Sequence, residues 1–181
     1  MFGLFRKRDP HLQPATELYG SVVAQARAPE FYRDLMVPDT KEGRFEMIVL
    51  HLSLLIDRIR SEAGSADPFA KALTSVFVTD MDDNMREIGI GDLSVPRKVK
   101  KTAGALYDRT LQYREISEEG GDGALAAAIS ENVWSEADHP QAAKLADYRE
   151  RARASLEKQA LADIQAGTCR FPDVHAAPLY S

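Results

Sequence analysis

Acids, an amide and glycines crowd into the span from Val76 to Val95, and this is where chemistry would first be sought. Asp80, Asp82 and Asn84 match the first, third and fifth positions of a calcium loop. Met85 stands where that loop needs glycine, and Gly91 where it needs its closing glutamate. Asp82, Asp83 and Arg86 come close to the Asp-Asp-x-x-Asp pattern that holds magnesium in all-α prenyl-diphosphate enzymes. Arg86 takes the place of the last aspartate, and no second aspartate-rich motif completes the clamp. A carboxylate-bridged metal site in a bundle needs two Glu-x-x-His pairs, whereas the chain has only Glu136 with His139, directly before Pro140. Gly89 and Gly91 lack the third glycine and the preceding strand of a dinucleotide fingerprint. No Ser, Cys or Lys shows a local nucleophile signature. Catalysis is therefore poorly supported by these residues, and no catalytic, cofactor or metal site is expected. An all-α enzyme using Asp80, Asp82 and Asp83 with magnesium on a prenyl diphosphate stands as the alternative.

The acids ride on a helix. Leu73, Phe77, Met81, Asn84 and Ile88 form a mostly apolar row, and Val76, Asp80, Asp83 and Glu87 a row beside it that turns acidic. Carboxylates at the edge of a buried face need partners. Arg44 is the expected partner of Asp80 and Asp83, because its fork can hold a carboxylate bidentately. Asp82 and Arg86 read as a surface pair at i, i+4. The helix begins at Asp67 and Pro68 and should stop at Gly89, with Gly91 and Asp92 in a tight connector to the next helix.

The other elements are helical too. Leu18, Tyr19, Val22, Val23 and Ala26 recur at helical spacing in a run from Pro14 to Ala26, and Pro29 ends it. Glu30 to Met36 reads as a short helix bounded by proline. Asp39 looks like an N-cap, with Glu42 completing a capping box. The helix that follows is apolar well beyond one stripe and is expected at the centre of the domain. Gly43 in its first turn suggests a close backbone approach, and Arg44 and His51 share one of its rows. Ser94 caps a helix with Val99, Ala103, Leu106, Tyr107, Thr110 and Tyr113 on its inner face. Residues 124–133 form a short helix, with Trp134 plugging its end. A last helix begins near Pro140 and runs to about Ala166; its stripe of Leu145, Tyr148, Ala152, Leu156 and Ala160 is narrow, so it reads as a surface helix. No strand alternation stands out. The expected fold is all-α: a single compact multi-helix domain with a long C-terminal surface helix.

Composition narrows the classes further. The chain has 181 residues, enough to bury a core without disulfides or metal, and its one cysteine, Cys169, cannot form an internal disulfide. A net charge of −5 argues against general nucleic-acid binding by the whole surface. Met1 to Phe5 is too short for a signal core, and its cations follow the apolar residues. Charge also alternates along the chain. The acidic stretch to Asp92 is followed by Arg97, Lys98, Lys100, Lys101, Arg109 and Arg114. Either these segments neutralise each other, or Arg97, Lys98, Lys100 and Lys101 stay exposed as a basic knob for RNA or anionic lipid. An RNA-binding or ribosome-binding adaptor is the alternative that rests on this run.

Several separate motifs occur in one order: the run Leu18 to Arg27 with Pro29, Phe31 and Tyr32; Val37 to Thr40 with Gly43, Arg44 and Phe45; and Leu50, His51 and Leu52. Phe77, the acids Asp80 to Asn84, Arg86, Glu87 and the turn Gly89 to Val95 follow, and Asn132 and Val133 close the set. In these residues the chain resembles the ubiquinol–cytochrome c chaperones, assembly factors of respiratory complex III. The likeness covers about residues 12–134. It implies a helical binding protein that holds newly made cytochrome b and catalyses nothing. It also implies a small assembly partner protein, with the ribosome or an anionic membrane surface as further contacts, and no DNA. The chain has no long Arg- and Ser-rich presequence, so a bacterial, cytoplasmic member, peripheral at the inner membrane, is expected. Residues 1–11 then form a flexible N-terminal segment, 12–134 the chaperone domain, 135–167 an additional C-terminal helix and 168–181 a tail. Asp39, Gly43, Arg44, Asp80, Asp83, Arg86, Glu87, Gly89, Gly91 and Asp92 are the motif residues. A client needs an exposed apolar surface with polar edges. Phe31, Tyr32, Leu35 and Met36 are the expected apolar contacts, and Arg97, Lys98 and Lys101 the basic ones. Tyr107 is expected in the core.

Overall fold

The central helix starts on a threonine and a glycine. In the computed structural model, which describes residues 9–87, 94–121 and 123–176, Thr40 is the N-cap and its Oγ1 accepts the Gly43 backbone N–H at 3.1 Å. The expected Asp39 cap is therefore one residue early, because the Asp39 carboxylate is bonded to Arg44 instead, at 2.6 Å. A Cβ on Gly43 would sit 2.0 Å from the Pro38 carbonyl oxygen, so only glycine lets the loop before the helix pass this close.

The helix so started is α3, Lys41–Ala63. Every residue from Met47 to Ile56 is buried, which requires neighbours on all sides. These are α1 (Leu12–Ala26), α4 (Pro68–Glu87), α5 (Val95–Glu119), α6 (Ala124–Trp134) and α7 (Ala142–Glu157). Two short helices complete the bundle, α2 (Pro29–Arg33) and α8 (Leu161–Gln165). There is no strand among the described residues, and the fold is all-α.

α4 starts as the sequence predicts, with Asp67 Oδ1 accepting the Ala70 N–H. It then climbs out of the core. Its buried residues end at Phe77, Met81 is half-buried and Asn84 exposed. A helix of this length is about 30 Å long, about the diameter of a small domain. Its C-terminal turn past Glu87, with Gly89, Gly91 and Asp92, lies outside the described residues.

The C-terminal part departs from expectation. The single helix to Ala166 is broken, α7 ending at Glu157 and α8 beginning at Leu161. α7 is also deeper than its narrow stripe suggests: Leu145, Tyr148, Arg149, Arg151, Ala152 and Leu156 are all buried. Residues after α8 fold back over it. Arg151 donates to the carbonyls of Asp173 at 2.9 Å and Val174 at 3.0 Å, and Gln159 bonds the backbone of Arg170 in both directions. Charged residues on α7 thus mark a second layer of chain rather than solvent.

Gly43→Ala should destabilise the fold by about 1–3 kcal/mol, the range for overpacking, because the clash is with backbone and cannot be relieved by a rotamer change. Urea unfolding reads this directly; an unchanged midpoint would mean that the Pro38 loop moves freely.

Candidate binding surface

The short element after α1 is fixed from beneath by aromatic packing. Phe31 is fully buried. Its ring lies edge-on to Tyr148 of α7, with centroids 4.9 Å apart, and to His51 of α3 at 5.5 Å. His51 has both ring nitrogens engaged. Nδ1 lies 2.7 Å from the Met47 carbonyl and Nε2 2.8 Å from the Tyr148 hydroxyl. A carbonyl only accepts, so Nδ1 carries the proton and Nε2 accepts from Tyr148. The Tyr148 oxygen in turn accepts from Gln25 Nε2 of α1 at 3.0 Å. One directional chain therefore ties α1, α7 and α3 together, and Phe171 closes it with its ring edge-on to His51 at 5.0 Å. Burial pushes His51 down to about 4.

With Phe31 and also Leu35 in the core, neither offers a client contact, contrary to expectation. α2 is a single turn beside α3, and its apolar residues are needed there. Tyr32 is half-buried, and its hydroxyl donates to the Ala26 carbonyl at 2.7 Å. Met36 is different. Its side chain is 60 % exposed, and its backbone is left-handed, at φ 56°. A bulky L-residue there costs about 1–3 kcal/mol. The strain is held from α6, where Trp134 Nε1 donates to the Met36 carbonyl at 2.9 Å. Trp134 is itself stacked on His139, centroids 4.2 Å apart.

Beside this element opens a cleft of about 650 Å³, lined by Arg27, Pro29, Tyr32, Arg33, Asp39 and Arg44. Arg33 is bonded to Asp34 at 2.6 Å, and Asp34 also receives His175 at 2.8 Å. These two partners hold the Asp34 carboxyl well below the usual carboxylate range. Arg27 and Arg33 were not singled out from sequence, although two prolines and three arginines around α2 were a usable signal.

Arg44 pairs with Asp39, not with Asp80 or Asp83. The local carboxylate five residues back reaches it first, and α4 packs chiefly along α1 and α5. Asp80 instead accepts the Tyr19 hydroxyl of α1 at 2.7 Å. Burial and this carboxylate raise the Tyr19 phenol far above its ordinary value. Asp83 and Glu87 are exposed. Asp82 and Arg86 pair at 2.8 Å, as the spacing predicts. No group of side chains among the described residues could hold a metal ion.

Arg97, Lys98, Lys100 and Lys101 are exposed and make no ion pair among the described residues. The bases farther along α5 reach α3: Arg109 bonds Glu46 at 3.2 Å, and Arg114 lies 3.9 Å from Asp57. Burial raises Glu46 despite that arginine. Tyr107 is 61 % exposed rather than core, because the buried row of α5 runs through Thr102, Leu106, Thr110 and Tyr113 and leaves it on the outer side.

The family model for ubiquinol–cytochrome c chaperones matches residues 33–171. The chain belongs to the ubiquinol–cytochrome c chaperone family. The match takes in α7 and α8, so the last helices, which the sequence likeness ending near 134 left out, are part of the family's region. The fold is similar to the crystal structure of the Cbp3 homolog from Brucella abortus: TM-score 0.79, 33% identity, 94% of this chain and 96% of that chain covered. Comparison with curated proteins gives no match. In this chaperone the acids of α4 are helix-edge groups with hydrogen-bond partners or solvent, and the buried His51 underpins the exposed strained turn.

The His51 chain has a pH signature. Unfolded, the imidazole protonates near 6.5, and folded only near 4. The unfolded state therefore binds more protons between these values. Stability is full above about pH 6.5, falls as pH drops toward 4, and the loss levels off there at roughly 3 kcal/mol. Urea unfolding of His51→Gln between pH 7.5 and 4.5 should lack this component. Identical pH slopes for the two proteins would show that His51 is not buried as a neutral ring.

Proposed function

We propose that this chain is an assembly chaperone for ubiquinol–cytochrome c reductase, holding newly synthesised cytochrome b through the surface around Met36. Family membership supports the class of function. The observation that supports the surface is Met36 itself. A large apolar side chain is kept in solvent on a strained backbone that glycine or asparagine would occupy at less cost. Strain of this kind persists where the side chain is needed outside and the surroundings enforce it. Methionine also adapts to varied apolar partners. Tyr32 and the arginine cleft belong to the same short stretch of chain and would supply its polar edge.

The four exposed cations at the start of α5, without an ion pair among the described residues, give a second contact, to the anionic face of the inner membrane, where cytochrome b is inserted. Each exposed cation near such a surface contributes about 1 kcal/mol. No described helix is long and apolar enough to cross a membrane, and the protein would sit there peripherally. A prenyl-diphosphate enzyme is not favoured. Asp80 is committed to Tyr19 and Asp82 to Arg86, and the family is one of chaperones.

Met36→Gly separates binding from folding. It relieves the left-handed backbone, so the melting temperature should hold or rise slightly, while capture of newly made cytochrome b falls. A photoreactive residue at position 36 should crosslink to cytochrome b in cells. Full capture by Met36→Gly, or a crosslink to cytochrome b that never forms while deletion leaves complex III intact, would refute the proposal.

A further inference from the structure

The cleft beside α2 is more than a polar margin. Its donors are largely unspent. Arg27 makes no side-chain hydrogen bond or ion pair among the described residues. Arg44 uses only Nε, toward Asp39, which leaves both terminal nitrogens. Arg33 uses Nε and Nη2 toward Asp34 and keeps Nη1. Tyr32 and Pro29 also line the cleft, and the Tyr32 hydroxyl is already committed to Ala26. Asp34 is held in turn by His175 from the returning C-terminal segment, which stops it from swinging across to another arginine.

We propose that this cleft is an acidic-anchor site. It takes one side-chain carboxylate of a peptide segment, flanked by apolar residues, from the protein the chaperone holds. Charge complementarity selects this occupant. The lining carries three guanidiniums and one carboxylate, Asp39, with Asp34 paired to Arg33 just outside it, so the lining keeps a net positive charge. A side-chain carboxylate answers that charge and is the anion that a segment of an unmodified protein carries. Arginine forks match a carboxylate in plane, which a lysine would not. The volume of about 650 Å³ admits such a side chain with its neighbours, and the exposed Met36 follows only three residues beyond Arg33 in the chain. The inference rests on the client-holding reading, because it identifies the client's polar contact.

The test uses the full chain labelled with ¹⁵N and two blocked peptides, acetyl-Leu-Leu-Glu-Leu-Leu-amide and its Gln counterpart. Inorganic phosphate and phosphatidylglycerol vesicles serve as competing anions. The Glu peptide should shift the Nε–Hε resonances of Arg27 and Arg44, and the Gln peptide should bind about tenfold more weakly. Arg27→Gln should lose a similar factor at unchanged melting temperature, and Arg27→Lys should recover only part of it. Equal binding of the two peptides overturns the proposal. So does a shift of these resonances by phosphate or vesicles without one by the Glu peptide. If the peptides fail while position 36 still crosslinks to cytochrome b, the acidic anchor falls and the chaperone reading stands. Glu-peptide binding without any cytochrome b capture would uphold the carboxylate site and remove cytochrome b as its source.

Discussion

Much of this molecule depends on one buried hydrogen-bonded chain, from Gln25 through Tyr148 and His51 to the Met47 carbonyl. A histidine in the wholly buried middle of a helix is costly unless both nitrogens are satisfied. Here they are, and the partners come from different helices. Satisfying His51 therefore fixes how α1 and α7 sit on α3. The aromatic rings around it carry that order outward. Phe31 packs on His51 and Tyr148, so α2 is placed by the same chain, and with α2 come the cleft and the turn at Met36. The C-terminal segment closes the other side through Phe171.

That arrangement explains how a small rigid bundle can keep a strained, exposed residue. Met36 is clamped between a buried Leu35 and Val37 and by the Trp134 hydrogen bond to its carbonyl. A turn left to itself would relax and bury the methionine; this one has no slack. Preorganisation lowers the entropy lost when a client binds. Among the described residues Leu12 and Tyr107 are the other large apolar side chains left exposed, which suits a protein that must hold an apolar client without aggregating with itself.

The all-α class, the close approach at Gly43 and the surface pair Asp82–Arg86 were legible in the sequence because each depends on neighbours a few residues away, and the central place of α3 because its apolar residues run beyond one stripe. What depended on distant chain was not. Asp80 clearly needed a partner, but Tyr19 could not be told from Arg44 without knowing that α4 lies along α1. Arg149 and Arg151 lie off the narrow stripe that made the last helix read as a surface helix, yet Arg149 lies over the Tyr113 ring and Arg151 caps carbonyls of a segment with no periodicity of its own. Phe31 and Met36 are equally apolar and sit in one short element. Only the backbone angle at Met36 puts one outside while the other is buried.

The central claim is that the client is held at the α2 turn and its arginine cleft, over a core that does not change. Hydrogen exchange with mass spectrometry, on the chaperone alone and with captured cytochrome b, tests it most directly. Residues 27–39 should gain protection, with α3 and α7 already protected and unaltered. Protection that appears instead along α4 around Asp83, with residues 27–39 exchanging as before, would contradict it.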